Sequence, residues 1–91
     1  MKVLETKLKG CYIIEPKIFK DKRGYFFESF NTKSFQELLK TDTIFIQDNE
    51  SLSTKGVLRG LHYQTREHAQ AKLVRVVKGK VLDVAVDLRQ N

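Results

Sequence analysis

The chain has one cysteine, one proline and no apolar run long enough to cross a bilayer. Each scarcity excludes something. Cys11 has no partner for an internal disulfide, and beside Tyr12, Ile13 and Ile14 it reads as a small strand residue in a reducing compartment. With Pro16 alone and five glycines scattered, no linker, repeat or low-complexity tract divides the chain, which reads as one unit. Met1 to Gly10 alternates charged and apolar side chains and lacks the apolar stretch and cleavage site of a signal peptide. A soluble cytoplasmic protein is expected, with no membrane partner.

What is present is modest in size. Ninety-one residues, 41% hydrophobic and 31% charged, make at most one small globular domain, whose core is marginal unless something else covers it. The formal net charge of +6 favours an anionic partner. Basic residues run from Lys2 to Arg89 with acids between them, rather than forming the stripe that a nucleic-acid surface requires. A small anionic ligand is the better expectation, and no nucleic-acid partner is.

Periodicity gives the elements. Val3 to Lys7 and Tyr12 to Glu15 read as short strands, with Pro16 ending the second, where a missing N–H does least harm. Gly24 closes the charged turn Lys20-Asp21-Lys22-Arg23, and Tyr25 to Phe30 reads as an aromatic strand bearing Glu28. Asn31 or Thr32 caps one helix, with Phe35, Leu38 and Leu39 on one face and Lys33, Gln36 and Lys40 facing out. From Thr43 onward the period is two: Ile44 and Ile46, then Val57 to Tyr63, Lys72 to Val77 and Lys80 to Leu88 are expected strands. Lys78-Gly79 fits a two-residue hairpin turn. The class is mainly β, a sandwich or small barrel with one short helix. The strands are too few to close an eight-stranded roll, so open edges inviting a second chain are expected.

The most informative segment is Gly56-Val57-Leu58-Arg59-Gly60-Leu61-His62-Tyr63-Gln64. On a regular strand Arg59 and His62 point to opposite faces, unless a bulge at Gly60 realigns them. A neutral imidazole, with an unperturbed pKa of about 6.5, takes and returns protons near physiological pH. That makes His62 a candidate general base, although from His62 alone the commoner assignment is a histidine hydrogen-bonded within a sheet. Lys72 opens the next strand and pairs with His62 if the two strands are neighbours. Its ammonium would then stabilise an enolate oxygen; taken singly it reads as a solvated lysine. His62 and His68 lack a standard metal-ligand spacing, and His68 reads as an exposed residue of the loop Thr65 to Gln70. Arg23, Glu28, Gln47, Asn49 and Arg59 are polar groups in apolar strand context, suited to phosphate and base recognition or simply surface residues. Phe19 is a stacking surface for a nucleobase or a core residue.

Several of these motifs occur together in one family. Ile14-Glu15-Pro16, Asp21-Lys22-Arg23-Gly24-Tyr25-Phe26-Phe27-Glu28-Ser29-Phe30, Gln47-Asp48-Asn49, Gly56 to Gln64 and Lys72 to Val77 resemble the dTDP-4-dehydrorhamnose 3,5-epimerases nearly end to end. The resemblance implies a cupin-like jelly roll, of which residues 1–91 are the incomplete N-terminal portion of a single domain. It also implies a homodimer whose N-terminal strands join the partner's sheet. Neither metal nor other cofactor is implied. By the resemblance the substrate is a dTDP-4-keto-6-deoxy sugar of dTDP-L-rhamnose biosynthesis, and His62 is the proton acceptor. Lys72 and Arg59 would sit by the sugar and diphosphate, while Arg23, Glu28, Gln47 and Asn49 hold the nucleotide with Phe19 nearby.

The departure is length. In the family the general-acid tyrosine and the aspartate that orients the histidine lie beyond the position of Asn91, and Tyr63 faces away from His62 on a regular strand. A truncated epimerase is therefore expected. The alternative is a non-catalytic sugar-nucleotide-binding remnant that lacks the general acid.

Overall fold

The computed structural model describes residues 1–89; residues 90 and 91 of the expected portion 1–91 lie outside the described residues. In chain order the elements are β1 (Lys2–Glu5), β2 (Tyr12–Glu15), β3 (Phe19–Asp21), β4 (Gly24–Phe26), α1 (Thr32–Leu39) and a 3₁₀ turn at Arg66–His68. The class is mainly β with one helix. The backbone divides into two compact units, one of Met1–Asp42 with the segment from Leu82, the other Thr43–Val81.

In the first unit, β1 and β2 form an antiparallel hairpin with Val3 opposite Ile14 and Leu4 opposite Ile13. β1 ends at Glu5 rather than the expected Lys7 because the Thr6 hydroxyl competes with the ladder. It donates to the Cys11 carbonyl at 2.7 Å and accepts from the Leu8 N–H at 3.2 Å. A second hairpin pairs Phe19 with Phe26, Lys20 with Tyr25 and Asp21 with Gly24, so Lys20 and Asp21, expected in the turn, are ladder residues of a strand instead. Its turn is Lys22-Arg23, where Asp21 Oδ1 accepts from the Arg23 N–H at 2.8 Å and Gly24 stands at φ +132°, a value that L side chains rarely adopt.

The expected strand Tyr25 to Phe30 stops at Phe26, since β3 offers only three residues to pair with. Beyond it the chain folds over the helix, and the Phe30 ring meets Phe35 edge-on, centroids 4.9 Å apart.

Asn31 caps α1, its Oδ1 accepting from the Ser34 N–H at 3.0 Å. Lys40, in the left-handed region at φ 51°, ends the helix by sending its N–H to the Gln36 carbonyl. Phe35, 4% exposed, is the buried core residue of the described chain. Leu39 is half-buried, but Leu38, expected on the same face, is 48% exposed. The layer above α1 covers one ring and little more.

The later segment of this unit is held by Arg89, whose guanidinium donates to the Lys9 carbonyl in the β1–β2 turn and grips Asp87 Oδ2 at 2.9 Å. Arg89 lowers the Asp87 carboxyl from its ordinary value to about 2, first by side-chain and then by backbone hydrogen bonding.

In the second unit the expected strands Val57 to Tyr63 and Lys72 to Val77 do not form, and neither does Lys80 to Leu88, which spans the boundary between the units. The expected hairpin is reduced to a bend at 77–79, although Gly79 does take positive φ, +96°. The strand expected at Ile44 and Ile46 is not formed either; both residues are exposed while their neighbours Thr43 and Phe45 are half-buried, so the alternation is present with the opposite side sheltered. Every described residue from 47 onward is exposed, Leu58 by 93% and Leu82 by 90%. The physical reason is that alternation only prepares a segment for a sheet. A strand exists when a neighbour accepts its N–H groups and a facing layer takes its apolar side. Without a ladder there is also no bulge at Gly60.

Two outcomes test these assignments. Asn31→Ala is expected to destabilise the chain by about 1 kcal/mol in urea titrations, whereas Asn31→Asp keeps the cap acceptor and changes stability by a few tenths. Because the Asp87 carboxyl is held low, its pair with Arg89 favours the folded state above the unfolded carboxyl pKa of about 3.9. That contribution is lost as pH falls through about 2. A carboxyl-carbon NMR titration should place the Asp87 midpoint at about 2, and Arg89→Gln should return it toward the ordinary value.

Candidate functional site

The expected site residues fall into two groups. Phe19, Arg23 and Glu28 belong to the first unit; Gln47, Asn49, Arg59, His62 and Lys72 belong to the second. Within the first, the β3–β4 hairpin brings Phe19 beside Phe26, and both rings line a cavity of about 320 Å³ with Lys17, Glu28, Asn31 and Phe35. Glu28 reaches this cavity from the segment between β4 and α1, not from a strand. The aromatic walls offer stacking area and the carboxylate an acceptor, a combination that suits a flat heterocycle with an N–H edge.

Arg23 stands at the hairpin turn, on a shallower depression lined by Phe19 to Asp21 and Arg23 to Phe26. Asp21 holds its guanidinium, Nη2 to Oδ2 at 2.6 Å and Nε to Oδ2 at 3.2 Å. The arginine keeps the Asp21 carboxyl below its usual range, mainly through the side-chain hydrogen bond and then through the backbone N–H. Arg23 is raised in turn by the same carboxylate. Both partners are exposed, so the pair adds little to stability. Its effect is to orient a planar cation whose remaining N–H groups face solvent, the geometry that a bidentate phosphate contact needs.

In the second unit, Gln47 Nε2 lies 3.5 Å from Asn49 Oδ1, at the outer limit of a hydrogen bond, so the two amides point into the same region. Arg59 donates through Nε to Ser53 Oγ at 2.9 Å and through Nη2 to the Leu52 carbonyl at 3.2 Å. These bonds fold the arginine back onto its own loop. His62 is exposed, its Nδ1 3.9 Å from where a Cβ on Gly60 would sit. Lys72 is exposed as well, and among the described residues no hydrogen bond or ion pair joins it to His62. The expected pairing required neighbouring strands, and neither strand is formed. His68 lies in the exposed 3₁₀ turn, its Nε2 3.5 Å from Glu67 Oε1.

Met1, Lys17, Asn31 and Ser34 also line the cavity and are not among the residues that the sequence assigns to the site. Asn31 was assigned only as a cap, and Lys17 was not singled out at all. Their signals were present: Lys17 and Phe19 stand two apart after Pro16, the spacing that puts side chains on one side of extended backbone, and Asn31 stands three beyond Glu28.

The chain matches the family described as dTDP-4-dehydrorhamnose 3,5-epimerase over residues 5–91. It is 56% identical over its whole length to the dTDP-4-dehydrorhamnose 3,5-epimerase of Shigella flexneri, covering 50% of that protein. With the enzyme of that name from Methanothermobacter thermautotrophicus it shares 57% identity over 88 residues, 97% of this chain and 46% of the relative. It is similar also to the crystal structure of dTDP-4-dehydrorhamnose 3,5-epimerase from Elizabethkingia anophelis NUHP1, with a TM-score of 0.70 and 56% identity over 76% of this chain and 38% of that one. The chain thus spans about half the length of the curated relatives it matches. On a match that takes in all but its first four residues, the chain belongs to the dTDP-4-dehydrorhamnose 3,5-epimerase family.

Proposed function

We propose that this chain carries the nucleotide-binding groups and the base-and-lysine part of a site that epimerises a dTDP-4-keto-6-deoxy sugar at C3 and C5, in dTDP-L-rhamnose biosynthesis. The observation that carries the proposal is the family match over residues 5–91, which includes every residue named for the site. The cavity shared by Phe19 and Glu28 and the oriented guanidinium of Arg23 support it independently, since their chemistry suits a nucleobase and a phosphate.

The chemistry follows from the substrate. A ketone at C4 acidifies the hydrogens on both adjacent carbons, so epimerisation needs removal of a proton and its return to the opposite face. Neutral His62 takes the proton, and the Lys72 ammonium stabilises the negative charge that develops on the C4 oxygen. Arg59 neutralises the diphosphate, while Arg23, Glu28, Gln47 and Asn49 position the nucleotide and Phe19 stacks on the base. Neither metal nor redox chemistry has a part in this scheme, because the carbonyl itself supplies the acidity. In the half of the family not covered here, a tyrosine would return the proton and an aspartate would orient the imidazole.

Residues 1–91 are then the N-terminal portion of one cupin-like jelly-roll domain. The exposed apolar alternation of 57–63 and 72–77 becomes sheet when the remaining strands of the domain lie against it. The hairpin β1–β2 presents free edges suited to the sheet of a second copy, which supports a homodimer. Among the described residues no helix is long and apolar enough to cross a membrane, and the scattered charge does not favour nucleic acid. Free Cys11 fits the cytoplasm.

A second reading is a sugar-nucleotide binder without turnover. It is favoured by the exposure of His62, since an imidazole turning freely in water has no fixed tautomer.

Two measurements separate them. In heavy water the 4-keto sugar nucleotide should acquire deuterium at C3 and C5, and His62→Ala should slow this on the order of 10²-fold or more. Binding without exchange supports the second reading. Calorimetry with thymidine diphosphate should show affinity falling about tenfold in Arg23→Ala, the loss expected for a charge-assisted phosphate contact; an unchanged affinity removes Arg23 from the site.

A further inference from the structure

The cavity beside Phe19 holds a cation that neither the motifs nor the mechanism use. Lys17 Nζ stands over the Phe19 ring, 5.1 Å from its centroid, and Lys17 and Phe19 line the same cavity with Glu28. A cation at that distance is attracted to the negative face of the ring. A nucleobase stacking on Phe19 needs that face too. Ammonium and base therefore compete for one surface.

The outcome of the competition depends on what the ligand carries. A neutral nucleoside displaces the ammonium and offers it nothing in return, so it binds at a disadvantage. A nucleotide displaces it and supplies phosphate oxygens about one sugar's length away, within the sweep of a flexible four-carbon stem. The ammonium then exchanges a ring face for a charge-assisted contact. Glu28 sharpens the contrast, because a carboxylate lining the same cavity repels phosphate from its own part of the wall.

We infer that Lys17 is a specificity-determining residue, capping the empty stacking face of Phe19 and transferring to the phosphates when a nucleotide enters, so that the site selects nucleotides over nucleosides. This rests on the nucleotide-binding role proposed for Phe19 and adds a residue to it.

The test compares thymidine diphosphate with thymidine by calorimetry on the full chain and on Lys17→Met and Lys17→Arg, with circular dichroism confirming an unchanged fold. Lys17 is exposed, so neither substitution disturbs packing. The ratio of diphosphate to nucleoside affinity is expected to fall about tenfold in Lys17→Met, which keeps the stem without the charge, and to persist in Lys17→Arg. The Lys17→Met protein should also bind thymidine itself a few-fold more tightly, because the cap is gone. If both ligands bind and the ratio is the same in all three proteins, the inference about Lys17 is wrong while the nucleotide site stands. If the unaltered chain binds neither ligand, the nucleotide site falls and Lys17 with it.

Discussion

The helix and the segment that leads into it depend on the burial of Phe35. Its ring is covered because Asn31 starts the helix at a fixed place, because Phe30 arrives edge-on from the segment before it, and because the cavity wall of Phe19 and Phe26 closes nearby. A helix of eight residues is too short to persist on propensity alone in water, so its existence depends on this one buried aromatic and on its cap. The same packing positions the candidate nucleotide groups. Glu28 and Asn31 line the cavity from the segment between β4 and α1, Phe35 lines it from the helix, and Phe19 lines it beside its cross-strand partner Phe26.

The second unit has no comparable anchor. Its apolar residues are as numerous as those of an ordinary sheet, yet from residue 47 onward none of them is sheltered. Burial of apolar area is the main force opposing conformational entropy, and a segment that buries nothing has no reason to hold one geometry. That bears directly on chemistry. The proposed proton abstraction needs an imidazole and an ammonium held to a fraction of an ångström, and here His62 and Lys72 stand on exposed backbone. Of the residues proposed for the site, Phe19, Arg23 and Glu28 belong to the unit that holds the buried ring, whereas Gln47, Asn49, Arg59, His62 and Lys72 all stand on exposed backbone.

Electrostatics follow the same division of labour. Asp21 with Arg23 and Asp87 with Arg89 are both local pairs, two residues apart, and in each the aspartate also accepts a backbone N–H from its arginine. Such motifs form wherever the chain turns, and at the surface they contribute little to stability. Their use is orientation. Arg89 ties the segment after Leu82 to the β1–β2 turn, whereas Arg23 keeps a guanidinium turned toward solvent and free to meet an anion.

Local signals told a good deal. The strand Tyr12–Glu15, a cap at Asn31 or Thr32 and the inward face of Phe35 were legible, because each is set by residues within a few positions of one another, whereas of the turn expected over Lys20 to Arg23 only Lys22-Arg23 remains outside the ladder. The family was legible too, since ordered motifs carry ancestry whatever geometry they adopt. What could not be read from the pattern was whether segments such as Val57 to Tyr63 meet a partner, because period-two alternation states a capacity for pairing and nothing about the neighbour that must supply the other half of each hydrogen bond. For the same reason the pairing of His62 with Lys72 was conditional on a ladder that residues 43–81 do not build. Lys17 over Phe19 belongs with these: the spacing allowed the contact, and only the folded hairpin, by placing the ring beside the cavity, gave the cation a face to rest on.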